Sequence, residues 1–299
     1  MEIVALRPEH VEQLLALYLA QVERAPHCAL VPTMTHFSND LLGSLPEQAR
    51  LYPIPTQVQL LVAEAAGGVC GFAALTCYKN DENEEQQAIT GLFVANEAAG
   101  DALIQACEAQ ATDDKLYAFP NTHGNTLVQS YNAGWDGLSD RIPNVAQLLS
   151  RHRYRTYCRE LHLTSQISAT QRTPQLLPPA ISLTYTANPA DHHGVRLVRA
   201  LDGETETGVC AYRTLTLLTD VPTASKTGYI EWLYVSGAYR RWGIARALMT
   251  TAMATLASEG CTECWLTTAA DNWKAQALYY TLGFAVVDCS VSFQKRFNR

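Results

Sequence analysis

The sequence predicts an α/β fold of mixed, mostly antiparallel sheets flanked by helices, built twice in tandem. Three observations carry that expectation. A pattern of hairpin, strand, helix, strand, helix, strand occurs twice at low identity, a Ser/Thr/Pro-rich stretch lies between the copies, and the length suits two domains. The chain has 299 residues, 47% of them hydrophobic and 17% charged. That is enough apolar material for two cores and excludes a largely disordered chain.

The elements follow in order. Pro8 near a helix start, with Val11, Leu14, Leu15, Tyr18, Leu19 and Val22 at helical spacing, predicts an opening helix. An irregular stretch to Pro55 precedes two apolar runs, Gln59–Glu64 and Val69–Leu75, which Gly67-Gly68 joins as a hairpin. A polar acidic loop over 80–86 leads to a strand at Ala88–Ala95, a helix over 98–111, a strand over 116–119, a helix over 144–151 and a strand over 156–163. Residues 164–180, TSQISATQRTPQLLPPA, lack periodicity and form the expected linker. The pattern then restarts with a strand at Ile181–Thr186, a short loop holding His192-His193, and a hairpin of Val195–Ala200 and Gly208–Leu217 around Asp202-Gly203. A strand at Gly228–Val235 precedes an amphipathic helix, Ile244–Leu256, with Ile244, Leu248, Ala252 and Leu256 on one side and Gly260 at its end. A strand at Cys264–Thr268, a helix at Trp273–Leu282 and an alternating final strand complete the chain. The expected boundaries are 1–163, a 164–180 linker, and 181–299.

Composition narrows the function. A net charge of −7, from 22 basic and 29 acidic residues, argues against nucleic-acid binding. The acids concentrate in residues 1–165, which hold 19 against 10 basic residues, while 166–299 hold 10 against 12. Glu64 breaks the best apolar stretch, so no membrane span is expected. The N-terminal MEIVALRPEH has no secretory pattern, and the expected location is cytoplasmic. Nine cysteines, an odd number without scaffold spacing, read as reduced and mostly buried thiols. Cys261-Thr-Glu-Cys264 lacks a second ligand pair, so no metal site is expected.

The informative stretch is Glu231-Trp-Leu-Tyr-Val235-Ser-Gly-Ala-Tyr-Arg240-Arg-Trp-Gly243-Ile-Ala245-Arg246. It reads as strand, short loop and helix, with small residues that let backbone amides face outward at the positive helix end. Arg240, Arg241 and Arg246 add charge for a phosphate or pyrophosphate. Neither the P-loop nor the dinucleotide glycine pattern is present.

Arg240-Arg-Trp-Gly243-Ile-Ala245 resembles the central motif of the GNAT superfamily of acyl-CoA-dependent N-acyltransferases. Asn272-Trp-Lys-Ala275-Gln-Ala-Leu278-Tyr279-Tyr-Thr-Leu-Gly283-Phe284 resembles that family's second motif. The strict resemblance covers about residues 195–290. It implies that loop amides of Arg240, Arg241, Trp242, Gly243, Ile244, Ala245 and Arg246 hold the CoA pyrophosphate. It further implies that Leu233, Tyr234 and Val235 pair with the pantetheine, that Asn272 contacts the cofactor arm, and that Tyr279 protonates the departing thiolate. Acetyl-CoA or another acyl-CoA is the implied co-substrate and the acceptor an amine on a small molecule or peptide, with no covalent acyl-enzyme and no metal. For the base, alternation puts Glu231 on the face of Tyr229 and Leu233, where a carboxylate acts directly or through water; the other reading is a solvated strand-end charge. The family often carries a Glu two residues earlier, where this chain has Tyr229. His192 and His193 are the alternative bases. Trp232, Trp242 and Trp273 read as packing residues for the most part.

The first copy lacks this equipment. Nine steps separate Val94 from Leu103 against thirteen from Val235 to Leu248, the missing residues fall at the phosphate loop, and Glu97 and Asp101 would repel an anion. No Leu-Tyr pair occurs in 144–154, so this half is expected to be a degenerate, non-catalytic GNAT-like domain. Only about eight residues follow Thr186 before Val195, so the second half lacks two helices that usually wall the acceptor site, and the first domain is expected to supply that wall. The leading expectation is acetyl transfer to a primary amine. Transfer of a longer acyl chain to a peptide or natural-product amine, and a non-catalytic acyl-CoA sensor, are the alternatives.

Overall fold

Alternating apolar residues dictate most of the strands, and the helices pack through the apolar stripes that their 3.6-residue period aligns. In the computed structural model, residues 1–25, 33–41, 56–79, 83–120, 137–168, 177–187, 195–217 and 222–297 are described. The chain forms two units, Met1–Leu161 with Asp288–Arg299, and His162–Val287.

The first unit contains β1 (Glu2–Ala5), α1 (Val11–Val22), α2 (Met34–Leu41), β2 (Gln57–Ala65), β3 (Gly68–Lys79), β4 (Glu85–Val94) and α3 (Glu97–Ala109). β5 (Lys115–Ala118), β6 (Leu138–Ser139) and α4 (Pro143–Arg151) follow. Strands β1 to β4 form antiparallel neighbours, whereas β5 runs parallel to β4. The core joins Leu14, Tyr18 and Val22 of α1 to Phe72, Leu92 and Phe93 of the sheet and Leu103 of α3. α3 and α4 pack closely because Gly100 leaves room for Leu148, whose Cδ1 lies 2.5 Å from where a Cβ would be.

The second unit contains β8 (Ile181–Ala187), β9 (Arg196–Asp202), β10 (Thr205–Thr214), β11 (Thr227–Val235), α5 (Ile244–Ser258), β12 (Glu263–Ala269) and α6 (Trp273–Thr281). β8 to β11 are antiparallel, and β12 runs parallel to β11. Ile244, Leu248, Ala252 and Leu256 of α5 are buried as their spacing predicts. Each of the larger ones contributes about 1.5–3 kcal/mol by leaving water. Gly228 makes this packing possible, because a Cβ there would meet Leu256 at 2.5 Å.

The units do not follow the expected linear boundaries. β7 (Arg155–Gln166) begins in the first unit and ends in the second, beside β12, where Ile167 N donates to Thr262 O at 2.9 Å. The expected linker therefore opens as strand; its centre, 169–176, lies outside the described residues. β13 (Ala285–Arg296) does the reverse, and its end pairs with β5 and β6 of the first unit. Asp288 anchors this crossing, accepting from Ser139 Oγ at 3.0 Å while almost fully buried. β1, α2 and β6 are additional to the expected elements. His192 and His193 lie outside the described residues.

A fragment of residues 181–299 would lack the strand that borders β12 and leave the end of β13 without its partners. Expressed alone, it should show no cooperative thermal transition by circular dichroism, and co-expression with residues 1–180 should restore one.

Candidate functional site

The site is built where two parallel strands part. The β11–β12 ladder runs from Thr227↔Glu263 to Ile230↔Leu266 and stops, while β11 continues to Val235. On that side Glu231–Val235 have no strand partner among the described residues. Leu233 and Val235 thus turn backbone groups to anything extended that enters the gap, whereas Tyr234 between them faces β10, which narrows the expected trio to two. On the other side β11 pairs with β10, with a bulge: Trp232 opposes Ala211 and Ile230 opposes Tyr212, which leaves Glu231 as the extra residue.

The bulge corrects the expected placement of Glu231. Cross-strand partners share a face of the sheet. Leu233 opposes Cys210, two residues from Gly208, where a Cβ would meet Leu248 of α5 at 3.2 Å. Leu233 therefore faces α5. Glu231 instead pairs with the Arg213 guanidinium, opposite Tyr229 on the other face. It shares a face with Tyr229 and not with Leu233, because the extra residue interrupts the alternation. Arg213 is 2% exposed, and Glu231 is the only acid paired with it among the described residues. Tyr229, where the family often has Glu, is buried and bonds Thr267 Oγ1 at 3.3 Å.

Tyr279 stands on the α5 face. Its phenol is buried, which pushes its pKa up to about 12, with a smaller push from the neighbouring Cys210 thiol. It stays protonated at neutral pH and is suited to donate a proton. Tyr280 is half exposed and points elsewhere. Glu231 and Tyr279 therefore flank the open edge of β11 from opposite faces.

The loop after β11 makes a 3-10 turn at Gly237–Tyr239, and Arg241 and Gly243 take left-handed φ values of +72° and +81° before α5 begins. The first turn of α5 carries no acidic side chain, and Gly243 is its N-cap. Free amides at a helix start suit an anion. Tyr239 ties the loop to the hairpin by donating to Asp202 Oδ2 at 3.1 Å, and its ring meets Trp242 edge-on. The three arginines divide their work. Arg240 Nε donates to Val235 O at 3.1 Å, Arg246 Nη2 donates to Thr281 Oγ1 of α6 at 2.6 Å, and Arg241 has no partner among the described residues. Ile244 is buried and offers only its backbone, while Ala245 is half-buried at the same turn. Asn272 caps α6, its Oδ1 accepting from Ala275 N at 3.3 Å. Trp232, Trp242 and Trp273 are 57%, 46% and 68% exposed, so they are not the packing residues expected. The Cys261 and Cys264 thiols are buried, which pushes their pKa values up, and no group of residues among those described could hold a metal.

The family model for the acetyltransferase (GNAT) family matches residues 160–284. Residues 160–284 are thus similar to the GNAT family. No curated protein sequence matches the chain. Among solved structures, a tandem GNAT protein from the clavulanic acid biosynthesis pathway is similar at 14% identity and a TM-score of 0.66, covering 99% of this chain and 98% of that one. A GCN5-related N-acetyltransferase from Sphaerobacter thermophilus is similar at 14% identity and a TM-score of 0.60, covering 99% and 95%. A GCN5-related glucosamine N-acetyltransferase region of a fungal multi-domain β-N-acetylglucosaminidase is similar at 12% identity and a TM-score of 0.69, covering 98% and 38%. At these identities the likeness is one of fold, and it extends over both units.

The first unit repeats the strand register of the second. Its β4–β5 ladder stops at Ile89↔Ala118 while β4 runs on to Val94. Its bulge leaves Thr90 unpaired just as Glu231 is, and Gly71↔Val94 matches Gly208↔Val235. By this register Thr90 stands for Glu231 and Thr76 for Arg213. Tyr154 N donates to Leu149 O as Phe284 N donates to Tyr279 O, so a leucine stands for the phenol. Only Ala95 and Asn96 separate β4 from α3. Asn96 caps that helix through Ala99 N at 2.9 Å, and Arg151 holds Glu97 at 2.5 Å and Asp101 at 3.0 Å. The His152 hydrogen bond, then Arg151, holds the Asp101 carboxyl below its usual range against the opposing effect of burial, so it stays anionic.

Removing one member of the Glu231–Arg213 pair strands the other. Glu231→Leu should lower stability by about 3 kcal/mol in urea unfolding because it leaves Arg213 buried without a counter-charge. Glu231→Leu combined with Arg213→Met should recover most of that loss.

Proposed function

We propose that the chain is an acyl-CoA N-acyltransferase whose chemistry lies in the second unit, most simply the transfer of acetyl to a primary amine. One observation supports it above the rest: a strand edge open on one side, flanked by a carboxylate on one face and a protonated phenol on the other. An extended pantetheine would complete the ladder at Leu233 and Val235. The amides of the loop through Gly243, Ile244 and Ala245, with the Arg241 guanidinium, would hold the pyrophosphate.

The reaction needs a proton removed and a proton supplied on opposite sides of one carbonyl. The amine enters on the Glu231 face as an ammonium, and its proton passes to Glu231 or to water that Glu231 orients. The amine nitrogen bonds to the thioester carbon, the carbon–sulfur bond breaks with its electron pair on sulfur, the nitrogen gives up its second proton to water to leave the neutral amide, and Tyr279 protonates the thiolate. Solvent then reprotonates Tyr279. Products are the amide, free CoA and one proton. Arg213 keeps the carboxylate in place. A longer acyl donor uses the same groups, since chain length depends on the depth of the gap. Absence of the two usual walling helices favours an acceptor bulkier than a free amino acid, and the cytoplasm supplies both reactants.

The test is CoA release across small amines, amino sugars and peptide amines. Tyr279→Phe should lower kcat about 100-fold or more while CoA binding stays within about twofold, since positioned proton transfer contributes at that scale. Gly243→Glu, which strains a left-handed backbone and puts an acid at the anion site, should instead raise the CoA Kd at least about tenfold. Tight CoA binding without turnover of any amine would make the chain an acyl-CoA sensor.

A further inference from the structure

The first unit has an open strand edge of the same kind, and something already sits on it. Gln21 projects from α1 in the stripe that buries Leu14, Tyr18 and Val22, and is itself only 8% exposed. Its Nε2 donates to Leu92 O at 3.1 Å, and its Oε1 accepts from Val94 N at 3.3 Å. One carboxamide thus bridges an acceptor and a donor two residues apart on β4, as an amide of an added strand would. By the shared register, Leu92 and Val94 correspond to Leu233 and Val235, the backbone assigned above to pantetheine.

The anion end is also filled from within. Asn96 takes an amide at the start of α3, and Glu97 and Asp101 bring negative charge to that turn, tied down by Arg151. Both halves of a cofactor footprint are therefore met by side chains of the unit itself.

We propose that Gln21 is the resident occupant of the strand edge in the first unit, an internal stand-in for the pantetheine amide, so that a chain takes one acyl-CoA and not two. The proposal rests on the acyl-CoA reading of the second unit for its stoichiometry, whereas the role of Gln21 at β4 stands on its own geometry. The carboxamide also docks α1 on the part of β4 that its neighbour β5 leaves unpaired. A methionine would fill the same space and leave Val94 N without its acceptor.

Site-resolved amide exchange of the full chain, with and without saturating CoA, tests this. In the wild type, CoA should leave Val94 exchange unchanged and calorimetry should give one CoA per chain. Gln21→Met should speed Val94 exchange at least about tenfold, while amides in the middle of α3, read as a folding control, keep their rates. Extra protection of Val94 by CoA, or two CoA per chain, would overturn the proposal, as would unchanged Val94 exchange in Gln21→Met. Should Gln21→Met not fold, the wild-type titration decides. Absence of CoA binding anywhere would overturn the one-per-chain stoichiometry and the proposed function together, leaving the Gln21→Met comparison to decide the role of Gln21.

Discussion

Everything at the site depends on the separation of β11 from β12 after Ile230. A strand edge inside a sheet carries donors and acceptors whose burial without partners is costly, so a fold that opens such an edge must provide for its completion. In the second unit the gap opens beside the Gly243 loop, which together suit an extended chain ending in an anion. In the first unit the corresponding edge is met by Gln21. The same backbone constraint has two answers in one polypeptide.

The two copies also show which side chains go together. Thr90 and Thr76 replace Glu231 and Arg213 jointly, and Leu149 replaces Tyr279. Joint replacement has a physical basis, because a buried guanidinium is tolerable only with its carboxylate. The phenol has no such dependence, and its leucine counterpart is fully buried, so a packing role has taken over from a polar one.

Local features were legible in the sequence and non-local ones were not. The apolar stripe of α5, the loop before it and the cap of α6 are set by residues within a few positions of each other, and they stand where the motifs put them. The face of Glu231 depends on a bulge, and so on how two strands register, which alternation along one strand does not encode. The exchange of β7 and β13 escaped for the same reason: strand pairing is fixed by partners far away in the chain. The exposure of Trp232, Trp242 and Trp273 runs against the usual burial of large aromatics, which composition alone cannot foresee. Gln21 did leave a signal, as a polar residue in a stripe otherwise apolar.

The crossing of β13 carries a consequence for how the protein is made. Its end, from Asp288, belongs to the unit whose other residues are the first 161 of the chain. During synthesis those residues leave the ribosome long before the strand that pairs with Lys115–Ala118 exists. The first unit must wait with an incomplete sheet until the whole second unit has been translated, so the two halves cannot mature strictly one after the other. Protection of that waiting edge, by a chaperone or by slow collapse of the rest, becomes part of the folding route.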